Sequence, residues 1–303
     1  MAQATIYGVI DQAYESTKTT AGTVTTKTTK LNSTWNGSLI GFKAAEDLGG
    51  GMKAFAQYEM GVNPDQNDPS TIFNRNSFVG LSGGFGSVQV GSQYNFAFFN
   101  AITADPLSFT GTSGYAVGYG GPGNSLRQSN MIAYTAPTIA PGVGIQVGKA
   151  MGETASVNGS AKTGDSSSYG LTYAAGALYA GVTGETVTGA TLTTAKTKNS
   201  TTTITYDLGM AKVGYGLGKT ATGASYNKGG AFSITVPVGA LTLGYSSGDR
   251  KTNASGTEVT TKFSQYGGIY ALSKRTSAYL QTGKQSATAT SQNMYAIGLR
   301  HDF

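Results

Sequence analysis

The stretch "MYAIGLRHDF", Met294–Phe303, alternates strictly. Tyr295, Ile297, Leu299 and Phe303 share one parity; Ala296, Gly298, Arg300 and Asp302 share the other. A two-residue period places successive side chains on opposite faces of a strand. One face here is bulky and apolar, the other small and polar. In a soluble sandwich the apolar face points inward; in a membrane barrel it points outward, into lipid.

The same alternation recurs upstream. Val213, Tyr215 and Leu217 alternate with Lys212, Gly214, Gly216 and Gly218, and Leu241, Leu243 and Tyr245 with Thr242, Gly244 and Ser246. The second face is too small and polar to fill a packed core but suits a wet lumen, whereas a soluble sandwich or solenoid needs inward-facing bulk. Tyr206, Tyr245, Tyr295 and Phe303 suit interfacial aromatic girdles.

Composition agrees. The 303 residues are 39% hydrophobic and only 12% charged, against about 25% charged in ordinary soluble domains. No run approaches the roughly 18 apolar residues of a membrane helix. Cysteine is absent, which excludes disulfides, thiolate metal sites and cysteine nucleophiles. The net charge is +6, but the basic residues are scattered singly, which argues against nucleic acid as a partner. The start, "MAQATIYG", has neither the basic nor the apolar region of a signal peptide. It reads as a cytosolic start or as a mature chain carrying an added Met1.

Seven short turns punctuate the alternating runs, in "EDLGGGMKA" (Glu46–Ala54), "LSGGFGSVQV" (Leu81–Val90), "TIAPGVGIQV" (Thr138–Val147), "AAGALYAGV" (Ala174–Val182), "DLGMAKVGYG" (Asp207–Gly216), "VPVGALTLGY" (Val236–Tyr245) and "LSKRTSAYL" (Leu272–Leu280). These hairpins and the two terminal strands make sixteen strands. Between them lie polar stretches such as "TKTTAGTVTTKTTKLNS" (Thr17–Ser33), "TGATLTTAKTKNS" (Thr188–Ser200) and "GDRKTNASGTEV" (Gly248–Val259), expected as long solvated loops. Alternation of short and long connections predicts an all-β protein: a 16-stranded antiparallel transmembrane β-barrel, one domain over residues 1–303, with no sheet edge. The interval from Gly84 to Pro141 is the longest and holds an aromatic-rich stretch, Tyr94–Asn130. A loop that apolar is expected to pack inside the barrel and narrow it.

The chain resembles the trimeric general porins of Gram-negative outer membranes, in particular the betaproteobacterial type. The resemblance is carried by "IYGVID" (Ile6–Asp11), "GFKAAEDLGGGMKAFAQYE" (Gly41–Glu59), "NRNSFVGLSGGFGSVQVGSQY" (Asn74–Tyr94), "LSKRTSAYL" and "IGLRHDF" (Ile297–Phe303). It implies an outer-membrane diffusion channel for small hydrophilic solutes and ions, with a homotrimer, outer-membrane lipid, lipopolysaccharide and the barrel-assembly machinery as partners. That machinery reads the C-terminal aromatic strand, here Tyr295 and Phe303. The resemblance also implies an eyelet in which acids of the third long loop face a wall of cations. Residue by residue, it assigns Lys43, Arg75 and Arg127 to the wall and Asp105 to the loop. Leu39, Ser92 and Ser108 stand where the family often carries Arg, Arg and Glu, which implies a weaker field and weak anion preference. Arg75 shares parity with Val79 and Leu81, so it reaches the lumen only through a bulge or at the rim. Arg300 and Asp302 are expected to face the lumen near the short-turn end and to pair.

The bland readings are a solvated wall lysine for Lys43, a tether for Arg75, a loop anchor for Arg127 and a turn residue for Asp105. Two other pores or barrels remain in play: a pore specific for one class of solute, such as organic acids, and a non-conducting structural or adhesive barrel. An enzyme is not expected. The only histidine, His301, is on the lipid-facing parity, and no Ser–Lys or carboxylate constellation stands out. No cofactor is expected, although "NPDQNDP" (Asn63–Pro69) weakly suggests loop calcium.

Overall fold

A computed structural model describes residues 3–35, 37–64, 75–107, 126–153, 164–189, 195–254 and 256–303. The strands are β1 (Gln3–Ala21), β2 (Val24–Asn32), β3 (Ser38–Gly49), β4 (Met52–Val62), β5 (Ser77–Gly83) and β6 (Gly86–Tyr94). After a short helix, α1 (Phe96–Ile102), follow β7 (Arg127–Thr135), β8 (Val143–Ala150), β9 (Ser166–Ala175), β10 (Leu178–Val187) and β11 (Thr197–Asp207). The last six are β12 (Lys212–Thr222), β13 (Ser225–Val238), β14 (Leu241–Ala254), β15 (Thr257–Ala271), β16 (Thr276–Ala287) and β17 (Thr290–Asp302). Consecutive strands pair antiparallel, except that β2 and β3 both pair with β1 and not with each other, and β1 pairs with β17, closing the sheet.

Seventeen segments make sixteen staves, because β2 and β3 are two halves of one. β1 pairs with β2 along Ala13–Ala21 and with β3 along Gln3–Val9. The closed 16-strand barrel read from the turns is therefore the fold. Closure extends to the last residue: Gly8 N donates to Phe303 O, and Phe303 N to Gly8 O, both at 3.0 Å. The Phe303 ring lies over Gly8, where a Cβ would fall 2.3 Å from it.

The alternation sets the two faces. Ile6, Ile10 and Tyr14 on β1, Tyr215 and Leu217 on β12, and Ile297 and Leu299 on β17 are exposed, as lipid contact requires. Residues of the other parity are buried, such as Thr201, Thr203 and Thr205 on β11. This is the outward-apolar, inward-polar pattern of a membrane barrel.

The loop reading needs correction. Thr17–Ser33 is almost wholly strand: β1 runs to Ala21, turns at Gly22–Thr23, and β2 returns to Asn32. β14 and β15 likewise continue to Ala254 and from Thr257, and Thr197–Ser200 opens β11. These stretches are rich in Thr, whose β-branching stiffens χ1 and favours the extended backbone. Their polarity places them beyond the lipid, not outside the sheet.

Candidate functional site: a lumen lined by arginines

Two segments turn from the wall into the lumen. The first is Ser33–Trp35, where β2 and β3 part. Trp35 N donates to Asp11 Oδ2 (2.7 Å) and Tyr279 Oη to Asp11 Oδ1 (2.6 Å). Thr34 Oγ1 lies 2.7 Å from Tyr279 Oη. The Trp35 ring meets Tyr279 edge-on at 5.4 Å, and the Arg300 guanidinium stacks over it at 4.7 Å. Asp11, Tyr279 and Arg300 are all of lumen parity, so Trp35 stands inside the wall. Sequence reading missed this break, although "NSTWNG" (Asn32–Gly37) is dense in turn-forming residues.

The second segment is Asn95–Leu107. Asn95 caps α1, its Oδ1 accepting from Phe98 N at 2.8 Å. Phe96 is buried against Met131, Ala133 and Ala150. Asn100 Nδ2 donates to Gly181 O (3.2 Å) and Thr201 Oγ1 (3.1 Å), and its Oδ1 accepts from Tyr179 Oη (3.0 Å). Lys212 Nζ donates to Thr103 O at 2.9 Å, and Ser233 Oγ to Ala104 O. Leu107 is seated over Gly244 and Gly267, where added Cβ atoms would come within 2.7 and 2.9 Å of it. The segment thus runs along the inner wall from β7 to β15. The rest of the expected inward stretch, residues 108–125 and with it Ser108, lies outside the described residues.

Arg75 and Arg127 come together. Each donates from Nη2 to the Tyr94 hydroxyl, at 3.0 and 2.5 Å, and the Arg127 guanidinium lies 4.3 Å from the Tyr94 ring centroid. Tyr94 in turn stacks on Phe98 at 4.0 Å. Arg75 precedes β5, which begins at Ser77, so strand parity does not bind it. Glu59 N donates to Asn76 O (2.7 Å) while Arg75 N donates to Glu59 O (3.3 Å), so residues 75 and 76 together oppose Glu59, a bulge that turns Arg75 to the lumen. The β6–β7 register shifts between Gly91 and Gln93, and Asn130 has φ 53°. That bulge re-aims the chain ends that carry Tyr94 and Arg127.

These residues line a cavity of about 360 Å³ together with Val9, Ser33, Thr34, Phe98 and Arg300. Arg300 also holds Asp302, Nη2 to Oδ1 at 2.9 Å, the pairing expected. Lys43 is on the same side of the barrel but lines a different recess, its Nζ 5.4 Å from the Tyr7 ring. Asp105 is buried against the far wall, with Oδ1 accepting from Leu107 N at 3.1 Å. It shapes the turn there and does not line the arginine cavity. Among the described residues, the acid paired with Arg75 is one the sequence reading did not single out. Glu59, on β4, lies 3.9 Å from Arg75 Nε and accepts from Tyr7 Oη at 2.8 Å and Gln57 Nε2 at 2.9 Å. Of the stretch read as a calcium loop, Asp65 and Asp68 lie outside the described residues. Among the described residues no group of three His, Asp or Glu could hold a metal ion.

A closed barrel with an apolar outer belt and a polar interior, entered by two chain segments and lined by convergent guanidinium groups, defines a transmembrane pore. The chain belongs to the Gram-negative porin family, whose model matches residues 1–290. Its place is the bacterial outer membrane. It is 43% identical over 95 residues to the major outer membrane protein P.IB of Neisseria gonorrhoeae, covering 30% of this chain and 27% of that one. It is 35% identical over 109 residues to outer membrane porin protein 32 of Delftia acidovorans, covering 33% and 30%. Each match spans less than a third of the relative's length. Among solved structures, the anion-selective porin from Comamonas acidovorans superposes with a TM-score of 0.82 at 23% identity over 100% of both chains. Salmonella typhi OmpF in complex with daunomycin superposes at 0.77 with 15% identity, over 99% of this chain and 97% of that one.

Proposed function

We propose that this chain is a passive diffusion channel for small hydrophilic solutes and ions, weakly selective for anions and assembled as a homotrimer. The observation that carries the reading is the pair Arg75–Arg127, held on one hydroxyl and facing the lumen with Arg300. Fixed positive charge in a narrow, low-dielectric passage favours anions. Glu59 beside Arg75, Asp302 on Arg300 and the missing cations at Leu39 and Ser92 keep that preference weak. The name of the Comamonas structure supports the sign, and the sequence resemblance supports the trimer. Lys43 extends the cationic side. The inward-running stretch Asn95–Leu107 narrows the bore, and Asp105 shapes it from the far wall.

No catalytic step enters this reading, since His301 is exposed on the outer face. Phe303 and Tyr295 serve as the strand signal for the barrel-assembly machinery. No cofactor is needed for passive diffusion. The deciding experiment inserts refolded protein into a planar bilayer across a KCl gradient. Large steps with a small anion-side reversal potential support the reading. A cation-side potential overturns the charge assignment. A folded barrel without steps overturns the channel and restores the structural or adhesive alternative.

A further inference from the structure

The arginine cavity is not polar throughout. Val9 on β1 and Leu39 on β3 are directly opposite each other. Val9 shares parity with Asp11 and not with the outward Ile6 and Ile10, so both side chains of the pair face the lumen. Both line the cavity, and so do Phe98 of α1 and Leu126, which is 47% exposed. Phe99, packed edge-on against Phe98 at 5.6 Å, is exposed as well. Apolar surface left wet forgoes about 25 cal/mol for each Å² that a partner could cover. Passage of small hydrophilic ions gives this surface no use, yet it adjoins three guanidinium groups.

The charges around the cavity do not cancel. Arg75 is 3.9 Å from Glu59, and Arg300 is 2.9 Å from Asp302. Arg127 has no ion pair among the described residues; its Nη2 donates to the Tyr94 hydroxyl, a neutral group. Three guanidinium groups against two carboxylates leave one positive charge, and it falls on Arg127. The Arg127 guanidinium lies over the Tyr94 ring, which stacks in turn on Phe98, at 4.3 and 4.0 Å. That column sets a flat cation beside flat rings. The cavity measures about 360 Å³, within the range of small-molecule sites, about 300–1,000 Å³.

We infer that this cavity is a binding site for aromatic monocarboxylates on their way through the barrel, with the carboxylate on Arg127 and the ring against the apolar lining. One negative charge completes the balance, and a dianion overshoots it. A carboxylate matches the guanidinium fork, and a planar body suits a wall of rings and guanidinium planes. The inference rests on the lumen reading of the proposed channel and names a solute class within it.

The test titrates detergent-refolded barrel with benzoate. Trp35 is the chain's only tryptophan and stacks with Arg300, which lines the cavity, so its emission reads the site. Benzoate should change that emission saturably. Acetate, which lacks the ring, and succinate, a dianion, should displace benzoate only at about tenfold higher concentration or more. Benzyl alcohol, which lacks the charge, should not displace it. Leu126→Asn should narrow the gap between benzoate and acetate, and Arg127→Gln should abolish saturation. Displacement by acetate at concentrations equal to benzoate's own overturns the proposal. So does an emission change that both variants keep, which marks partition of the ring into detergent. Bilayer recording of the same protein separates the two readings. Anion-side steps from a barrel that treats benzoate and acetate alike overturn the solute class and keep the channel. Saturable benzoate binding by a barrel without steps keeps the site and overturns the channel.

Discussion

Replacing Asn100 by alanine tests how the inner segment is held. The Asn100 side chain makes at least three hydrogen bonds to the wall, to Gly181 O, Thr201 Oγ1 and Tyr179 Oη. It is 1% exposed, so no water replaces those partners at once. At roughly 1 kcal/mol net for each bond, Asn100→Ala costs the seated state about 3 kcal/mol. With 1.4 kcal/mol per factor of ten, the ratio of seated to unseated segment falls about a hundredfold. Lys212, Ser233 and the Leu107 contact still hold the far end, so the segment loosens but stays attached. Single-channel recording in concentrated KCl should show open-channel noise well above wild type, with substates. Gly181→Ala should do the same by a different route, because its Cβ would fall 2.0 Å from Asn100 Oδ1. If both variants are as quiet as wild type at the same step size, hydrogen bonding at Asn100 does not hold the segment. Apolar seating of Phe96 and Leu107 would then be the hold, and the reasoning above would be wrong.

Further outcomes follow from the same geometry. Arg75→Gln with Arg127→Gln should move the reversal potential toward the cation side in the KCl gradient, and Glu59→Gln alone should move it the other way. Trp35→Ala should raise step conductance, since the ring stands inside the wall. Tyr279→Phe removes a 2.6 Å bond to buried Asp11 and should cost about 1–3 kcal/mol, read as a lower midpoint in urea-driven unfolding from detergent. Phe303→Ala strips the ring from Gly8 and should lower stability by about 1 kcal/mol, with a slower gain of the heat-modifiable folded band on refolding.

The barrel was legible because a two-residue period admits only two assignments of face, and the small polar parity excluded the soluble one. The lengths of the strands were not. Thr17–Ser33 reads as loop by polarity and as strand by β-branching, and one chain cannot show where lipid ends along it. The site was legible in part. Arg75 and Arg127 stood out through resemblance, and the parity of Arg75 already called for a bulge or a place at the rim. Their meeting point, Tyr94, was invisible, since it depends on a bulge that shifts β6 against β7. Glu59 was passed over because it looked like one more strand residue; only the pairing of three staves brings it to Tyr7 and Arg75. Asp105 was read as the eyelet's loop acid, with a turn role before Pro106 as the alternative; its carboxylate accepts from Leu107 N, the contact of a turn residue.

The seam at Gly8 and Phe303 also bears on the order of assembly. All other neighbouring staves are joined through a hairpin or one longer connection, so their pairing closes modest loops. The β1–β17 pairing closes a loop of almost the whole chain, and the entropy cost of closure grows with loop length. The seam therefore forms after the hairpins. Until it does, two long strand edges are unpaired, and a second chain or an assembly factor can add to either. The final aromatic lies where that open edge is shut, so its two backbone bonds mark the step at which an open curved sheet becomes a pore.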